Sequence, residues 1–424
     1  MVRTLRLLGL VAAVWLIAGF VSAGEDDGDA AASTDSTFVV THLTDDILML
    51  TSDQGSYVTN SLAFVGDDGL LLVDTQHPRD RAAFKAVVDG LGYGPPKYII
   101  NTHRHIEHIG GNDLWGEAPV IIAHRLVPQK LASDFVFREF PRAVYPDLTV
   151  DSTLTLYFNG EIIEIHEMGG SHDDNEIIVH FTRNKLVHLS SLVNGFGFPS
   201  FDDDGDVLAF ADLVTRARDL LPHDVTIVSG HGAPGAWDEL AGYIDMLRGS
   251  EQWVRDGLAG GQDVAALQAR GLPEAWSKYD TSYVSPAKWI AYLAEAIETP
   301  GEHKPDVLPE LFPVWKAQGA AAAVASYDRL RRQRPDDFDF SEFDLLRIGM
   351  TLADRGLHAD AAVFLAADLE AYPDGDYVYY TSFLLAGEHR ALGRRDEARR
   401  ACERSLAAKP DFGEARDLLA ELTD

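Results

Sequence analysis

Cysteine is almost absent from this sequence: Cys402 stands alone in 424 residues. That excludes an intrachain disulfide and any metal site built on several thiolates. Stability must come from core burial, which a chain of this length with 46% hydrophobic residues can supply. Cys402 itself reads as a small apolar helix residue, not a nucleophile. Positive charge is scarce as well. Lys and Arg total 36 against 67 Asp and Glu, a formal net charge of −31. Binding phosphate needs clustered Lys and Arg, so nucleic acid is ruled out as a partner, and the acidic surface reads as a solvating one. Long apolar runs are confined to the start. Arg3 and Arg6 precede the run Leu7 to Phe20, and Val21-Ser22-Ala23 places small residues at the −3 and −1 positions. This is the layout of a signal peptide over residues 1–23, and the run is short for a membrane span. The expectation is a periplasmic or secreted protein with no membrane attachment after cleavage. Residues 24–35 read as an acidic disordered leader.

Residues 36–250 carry short β-rich runs: Phe38 to Val40, Ile47 to Leu50, Ser61 to Val65, Leu70 to Val73 and Lys97 to Ile100, with a helix over Arg79 to Leu91. The same grammar returns in Leu154 to Phe158, Ile162 to His166, Ile177 to Phe181, Leu186 to Leu189 and Val225 to Val228, with a helix near Val207 to Leu221. Strands with a helix, twice over, predict two sheets covered by helices. Residues 251–305 read as a helical closing segment. Over 306–424 the pattern is helical only, and Gly319 to Pro335, Gly356 to Pro373 and Gly393 to Pro410 recur at a period of about 37–38 residues. The last of these, "EHRALGRRDEARRACERSLAAKPDFGEA", resembles the tetratricopeptide repeat, which implies either a docking surface for a protein partner or a bundle that caps its neighbour.

Chemistry concentrates in "YIINTHRHIEHIGGN", residues 98–112. A buried strand stops at Asn101 and delivers His103, His105, Glu107 and His108 within six residues. His103 and His105, at i and i+2, point the same way along an extended chain. Imidazole is the commonest neutral ligand for zinc, and a catalytic site needs three protein ligands and an open position. Gly110-Gly111 is read as a tight backbone turn beside the site.

These residues match the His-x-His-x-Asp-His signature of the metallo-β-lactamase superfamily at every position but one, where Glu107 replaces Asp. Other landmarks follow in order: Asp74 in "LLLVDTQ", His172 in "GGSHDDNEIIVHF", "LVHLSSLVNGFGFPSFD", and His231 in "SGHG". The resemblance runs from about Phe38 to Ser250 and implies an α+β fold, an αββα sandwich followed by the all-α repeats. It implies one or two zinc ions, with His103, His105 and His172 forming the first site and Glu107, His108 and His231 the second. Asp74 would support the site from beneath, and Glu107 would orient a metal-bound hydroxide for attack on a small-molecule substrate. The chain departs from the pattern at Ser191, where the family has a bridging Asp. A neutral hydroxyl cannot bridge two dications as a carboxylate does.

Three functions remain open. The first is an exported zinc-dependent hydrolase of an ester, lactone, lactam or thioester; its strand pattern is closer to a periplasmic branch of the family than to β-lactamases proper. The second is a catalytically weak or inactive fold that works as a binding or assembly module through its repeats. The third, iron-dependent oxidation of a sulfur substrate, needs a carboxylate at position 191 and ranks last. His124, His166, His180 and His188 read as strand residues, and His77 and His223 as surface or turn residues. Arg104 faces either the pocket or solvent, and Asn194 and Phe196 are placed at the pocket mouth. Asp202 to Asp206 reads as a solvated acidic loop.

Overall fold

A computed structural model describes residues 38–423, apart from 54–57, 134–139, 171, 202–204, 282–283, 300–303 and 339. The expected signal peptide and leader, and most of the acidic loop at Asp202, lie outside the described residues. The first sheet has seven strands in sequence order: β1 (Phe38–His42), β2 (Ile47–Asp53), β3 (Val58–Gly66), β4 (Gly69–Val73), β5 (Tyr98–Ile100), β6 (Val120–His124) and β7 (Leu148–Val150). β1 to β4 form an antiparallel meander, and β4 to β7 run parallel. The change of direction is forced by α1 (Arg81–Gly90), which carries the chain back across the sheet between β4 and β5.

The second sheet holds β8 (Thr153–Phe158), β9 (Glu161–Gly169), β10 (Glu176–Phe181), β11 (Leu186–His188), β12 (Thr226–Val228) and β13 (Gly235–Ala236), in the order β13-β12-β11-β10-β9-β8. Side-chain alternation builds the layers. Leu71 and Val73 of β4 meet Ile177, Val179 and Phe181 of β10 in the core between the sheets. Leu70 and Leu72 face the other way, onto Phe84 and Val88 of α1. Ile178 and Val187 of the second sheet face α4 (Phe210–Leu220) and α5 (Trp237–Ala259). Helix, sheet, sheet, helix is the expected sandwich.

Short helices α2 (Ile106–Ile109) and α3 (Val127–Ser133) sit in the connections after β5 and β6. After α5 come α6 (Val264–Arg270) and α7 (Pro286–Glu298). α5 runs straight through residue 250, so the expected division there falls inside one helix. Leu240, Val254, Leu267, Trp289 and Leu293 share a single core with Ile178 and Val187 of the second sheet.

The rest is helical: α8 (Leu308–Gln318), α9 (Ala320–Gln333), α10 (Phe343–Asp354), α11 (His358–Ala371), α12 (Val378–Ala391), α13 (Arg395–Ala408) and α14 (Gly413–Glu421). Gly319, Gly356 and Gly393 each sit between paired helices in the left-handed region, at φ of 84°, 69° and 70°. Only glycine enters that region without cost, which is why it recurs at each helix end. Two cations that precede these helices reach the start of α12: Arg79 Nη1 donates to Tyr380 Oη at 3.0 Å, and Lys288 Nζ donates to Oη of Tyr377, the residue before the helix, at 3.2 Å.

Candidate metal centre

The centre is built where β4 and β5 stop side by side. Asp74 follows β4 with a φ of 62°, a conformation unusual for a residue with a side chain. Its carboxylate earns that geometry. Oδ1 accepts from the Thr102 amide at 2.8 Å, and Oδ2 accepts from Thr102 Oγ1 at 2.8 Å and faces His108 Nδ1 at 2.8 Å. Asp74 therefore ties the end of β4 to both ends of the histidine loop.

The loop is clamped further by Asn101 and Asn112, whose side-chain amides bond to each other at 3.1 and 2.8 Å. The Gly-Gly pair works differently from the expected tight turn. Gly110 has an ordinary φ of −63°, but an added Cβ there would lie 2.4 Å from Pro78 Cδ; at Gly111 it would lie 2.4 Å from the Thr75 carbonyl oxygen. These glycines allow close approach of the β4–α1 connection, not unusual backbone angles.

The structure gathers the sequence-predicted ligands into two groups. His103, His105 and His172 present nitrogen atoms within 4.8 Å of one another, and Glu107, His108 and His231 do the same with their ligand atoms. His105 Nδ1 lies 3.1 Å from His172 Nε2 and 3.9 Å from Glu107 Oε1, so the two groups adjoin. Each ring is held from outside by its other nitrogen. His108 uses Nδ1 on Asp74, His172 Nδ1 donates to the Ser200 carbonyl at 2.6 Å, and His231 Nδ1 donates to the Val58 carbonyl at 2.8 Å. His105 Nε2 faces Asp173 Oδ2 at 3.3 Å. Outer bonds of this kind set ring orientation in metal sites.

His103 Nε2 and His108 Nε2 are buried with no hydrogen-bond partner. An orphaned imidazole nitrogen in a protein interior is costly unless something meets it. Burial first, and then the neighbouring imidazoles, pull His103 well below its ordinary pKa and His231 down to about 3. Both rings are thus neutral, the form that donates to a cation. Five imidazoles and one carboxylate form a donor set suited to zinc.

Ser191 is buried and belongs to neither ligand group. Its amide donates to Glu176 Oε1 at 3.1 Å, and its hydroxyl has no hydrogen-bond partner. Arg104 is buried and does not face solvent: its Nε lies 2.9 Å from Asp173 Oδ2, the oxygen that faces His105 Nε2. Phe196 packs on Tyr243 at 5.9 Å, in the core under the second sheet, and Asn194 is buried with Nδ2 donating to the Phe198 carbonyl at 3.3 Å. His124, His166, His180 and His188 all lie in strands. His223 stacks on Trp237, and His77 is buried in a turn where Nδ1 accepts from the Arg79 amide.

Sequence reasoning missed Asp173 and Glu176, and read His188 only as a strand residue. Asp173 supports His105 and is backed by Arg104. Glu176 is fully buried and its carboxyl is pushed up to about 8, chiefly by burial. His188, fully buried beside the site, has a pKa lowered to about 4 by burial, and accepts from the Ser190 amide at 3.2 Å. The acid-rich run around His172 was the available signal for Asp173. For Glu176 it was an acid opening the strand Glu176–Phe181 directly before three aliphatic residues.

Residues 55–231 match the model of the metallo-beta-lactamase superfamily. Solved structures include the metallo-beta-lactamase from Pontibacter korlensis, 19% identical at a TM-score of 0.43, the match covering 50% of this chain and 99% of that one. The DIM-1 metallo-beta-lactamase is 18% identical at the same TM-score, covering 50% of this chain and 98% of its own.

Proposed function

From residues 55–231, which carry the metallo-β-lactamase superfamily fold, we propose that this protein is an exported metal-dependent hydrolase of a small ester, lactone, lactam or thioester. The observation that carries the reading is the pair of adjoining three-ligand groups, with the Nε2 atoms of His103 and His108 buried and without hydrogen-bond partners. Zinc held by His103, His105 and His172, and a second ion at Glu107, His108 and His231, would supply a Lewis acid and an activated water. The chain's own residues do the rest. Asp74 and Asp173 hold rings in place from behind, and neutral His231 keeps its donor atom available. Glu107, which retains some solvent contact, would orient the attacking water and accept its proton at a carboxylate oxygen. Export rests on the layout of residues 1–23.

A second reading is favoured by Ser191, whose hydroxyl brings no negative charge to the centre. On that reading the metal site is structural and the helical repeats bind a protein partner. Metal analysis after zinc-replete purification, with His105→Ala as control, separates the two from a metal-free fold. Below about 0.2 equivalents the hydrolase reading fails, because an intact site fills. Metal without turnover of any lactam, lactone or thioester in a panel favours the binding module.

A further inference from the structure

His103 Nδ1 has two hydroxyl neighbours, Thr102 Oγ1 at 3.1 Å and Ser190 Oγ at 3.3 Å. Neither hydroxyl is a free rotor. Thr102 Oγ1 donates to Asp74 Oδ2 at 2.8 Å, and Ser190 Oγ donates to Glu176 Oε1 at 3.0 Å. A hydroxyl has one proton, and once that proton is committed to a carboxyl oxygen only lone pairs remain to face the ring. Nδ1 must then carry the hydrogen, and Nε2, buried without a hydrogen-bond partner, keeps its lone pair. We propose that Glu176 is a positioning residue of the centre: acting through Ser190, it holds His103 in the Nδ1–H tautomer with Nε2 as the donor atom. The inference rests on the metal-centre reading only for what Nε2 donates to; the tautomer belongs to the metal-free chain.

The placement of Glu176 supports this role. It opens β10, whose next three residues, Ile177, Ile178 and Val179, are fully buried. An apolar side chain would sit there at lower cost than a carboxyl group. Every hydrogen bond of Oε1 goes to the Ser190–Ser191 turn, from Ser190 Oγ and from the Ser191 amide. Ser190 has a φ of 53°, a left-handed conformation that residues with side chains adopt only when their surroundings enforce it. The Gly230 amide, donating to the Ser190 carbonyl at 2.8 Å, and His188 Nδ1, accepting from the Ser190 amide, fix the backbone. Glu176 then fixes the hydroxyl. Two committed hydroxyls thus present lone pairs to Nδ1, Thr102 held by Asp74 and Ser190 held by Glu176.

The test uses full-length ¹⁵N-labelled protein stripped of metal, with long-range ¹H–¹⁵N correlations reporting the ring tautomer of His103. A Co²⁺ titration followed by visible absorption gives the affinity. Wild type is expected as a single Nδ1–H tautomer. Glu176→Gln keeps an acceptor oxygen and should match it. Glu176→Leu and Ser190→Ala should show both tautomers and bind Co²⁺ about tenfold more weakly. An unchanged His103 tautomer in both of these variants overturns the proposal, even if Co²⁺ binding weakens. If Glu176→Leu does not fold, Ser190→Ala decides. Wild type in the Nε2–H form also overturns it. Wild type in the Nδ1–H form that takes no Co²⁺ overturns the metal-centre reading and leaves this one standing.

Discussion

The two halves of the centre reach similar geometry by different chemistry. His103, His105 and His172 bring three imidazoles and no net charge, and their outer atoms meet hydroxyls, the Asp173 carboxylate and a carbonyl. Glu107, His108 and His231 bring two imidazoles and a carboxylate that is one methylene longer than the family's Asp. The first half is determined by neutral donors held in place. The second depends on charge, and Ser191 adds none. A dication should therefore fill the first half more readily than the second.

The largest expected effect comes from removing one ligand per half. His105→Ala should drop bound zinc below about 0.2 equivalents, whereas His231→Ala should leave the first half filled; elemental analysis reads both. Equal losses from the two variants would break the distinction. Asp74→Asn comes next, since one carboxylate bonds His108 and Thr102 together. It should weaken zinc about 10–100-fold, more at the second half, in competition with a fluorescent chelator.

Acid gives a smaller, graded test. His188 is held neutral down to about 4 in the folded chain, against an ordinary 6.5 when unfolded. Below pH 6.5 the unfolded chain binds a proton that the folded chain refuses. This site's contribution to stability is therefore lost as pH falls from 6.5 to 4, at about 1.4 kcal/mol per pH unit. Metal-free His188→Phe should lack that part of the slope in denaturant titrations at stepped pH; an unaltered slope would show that His188 titrates normally. The smallest effect is expected from Ser191→Asp. Added charge should tighten the second zinc several-fold and leave the first unchanged, as sequential calorimetric titration would resolve.

Four of the six candidate ligands were legible in the spacing within residues 103–108, and His172 and His231 only through the resemblance. Asp74 was legible as the polar stop of an apolar strand. The supports were harder to read. Val58 and Ser200 act through backbone carbonyls, which no side-chain pattern reveals, and Glu176 meets the loop through a contact with Ser190 fourteen positions away. Arg104 shows the same limit: its position between two ligands says nothing of the buried Asp173 that claims it. In the fold, strand runs and helix periodicity were plain. α5 was not read as continuous through residue 250, because tertiary packing against Ile178 and Val187 sets its length.

Among the described residues, every buried apolar cluster lies wholly before residue 300 or wholly after it. Side-chain hydrogen bonds that join the sides include Arg79 to Tyr380 and Lys288 to Tyr377. Cooperative melting follows shared apolar packing much more than exposed polar bonds. The chain should accordingly behave as two calorimetric units, with separate heat-absorption peaks. Zinc would raise the transition of the sandwich and leave that of the helices nearly in place.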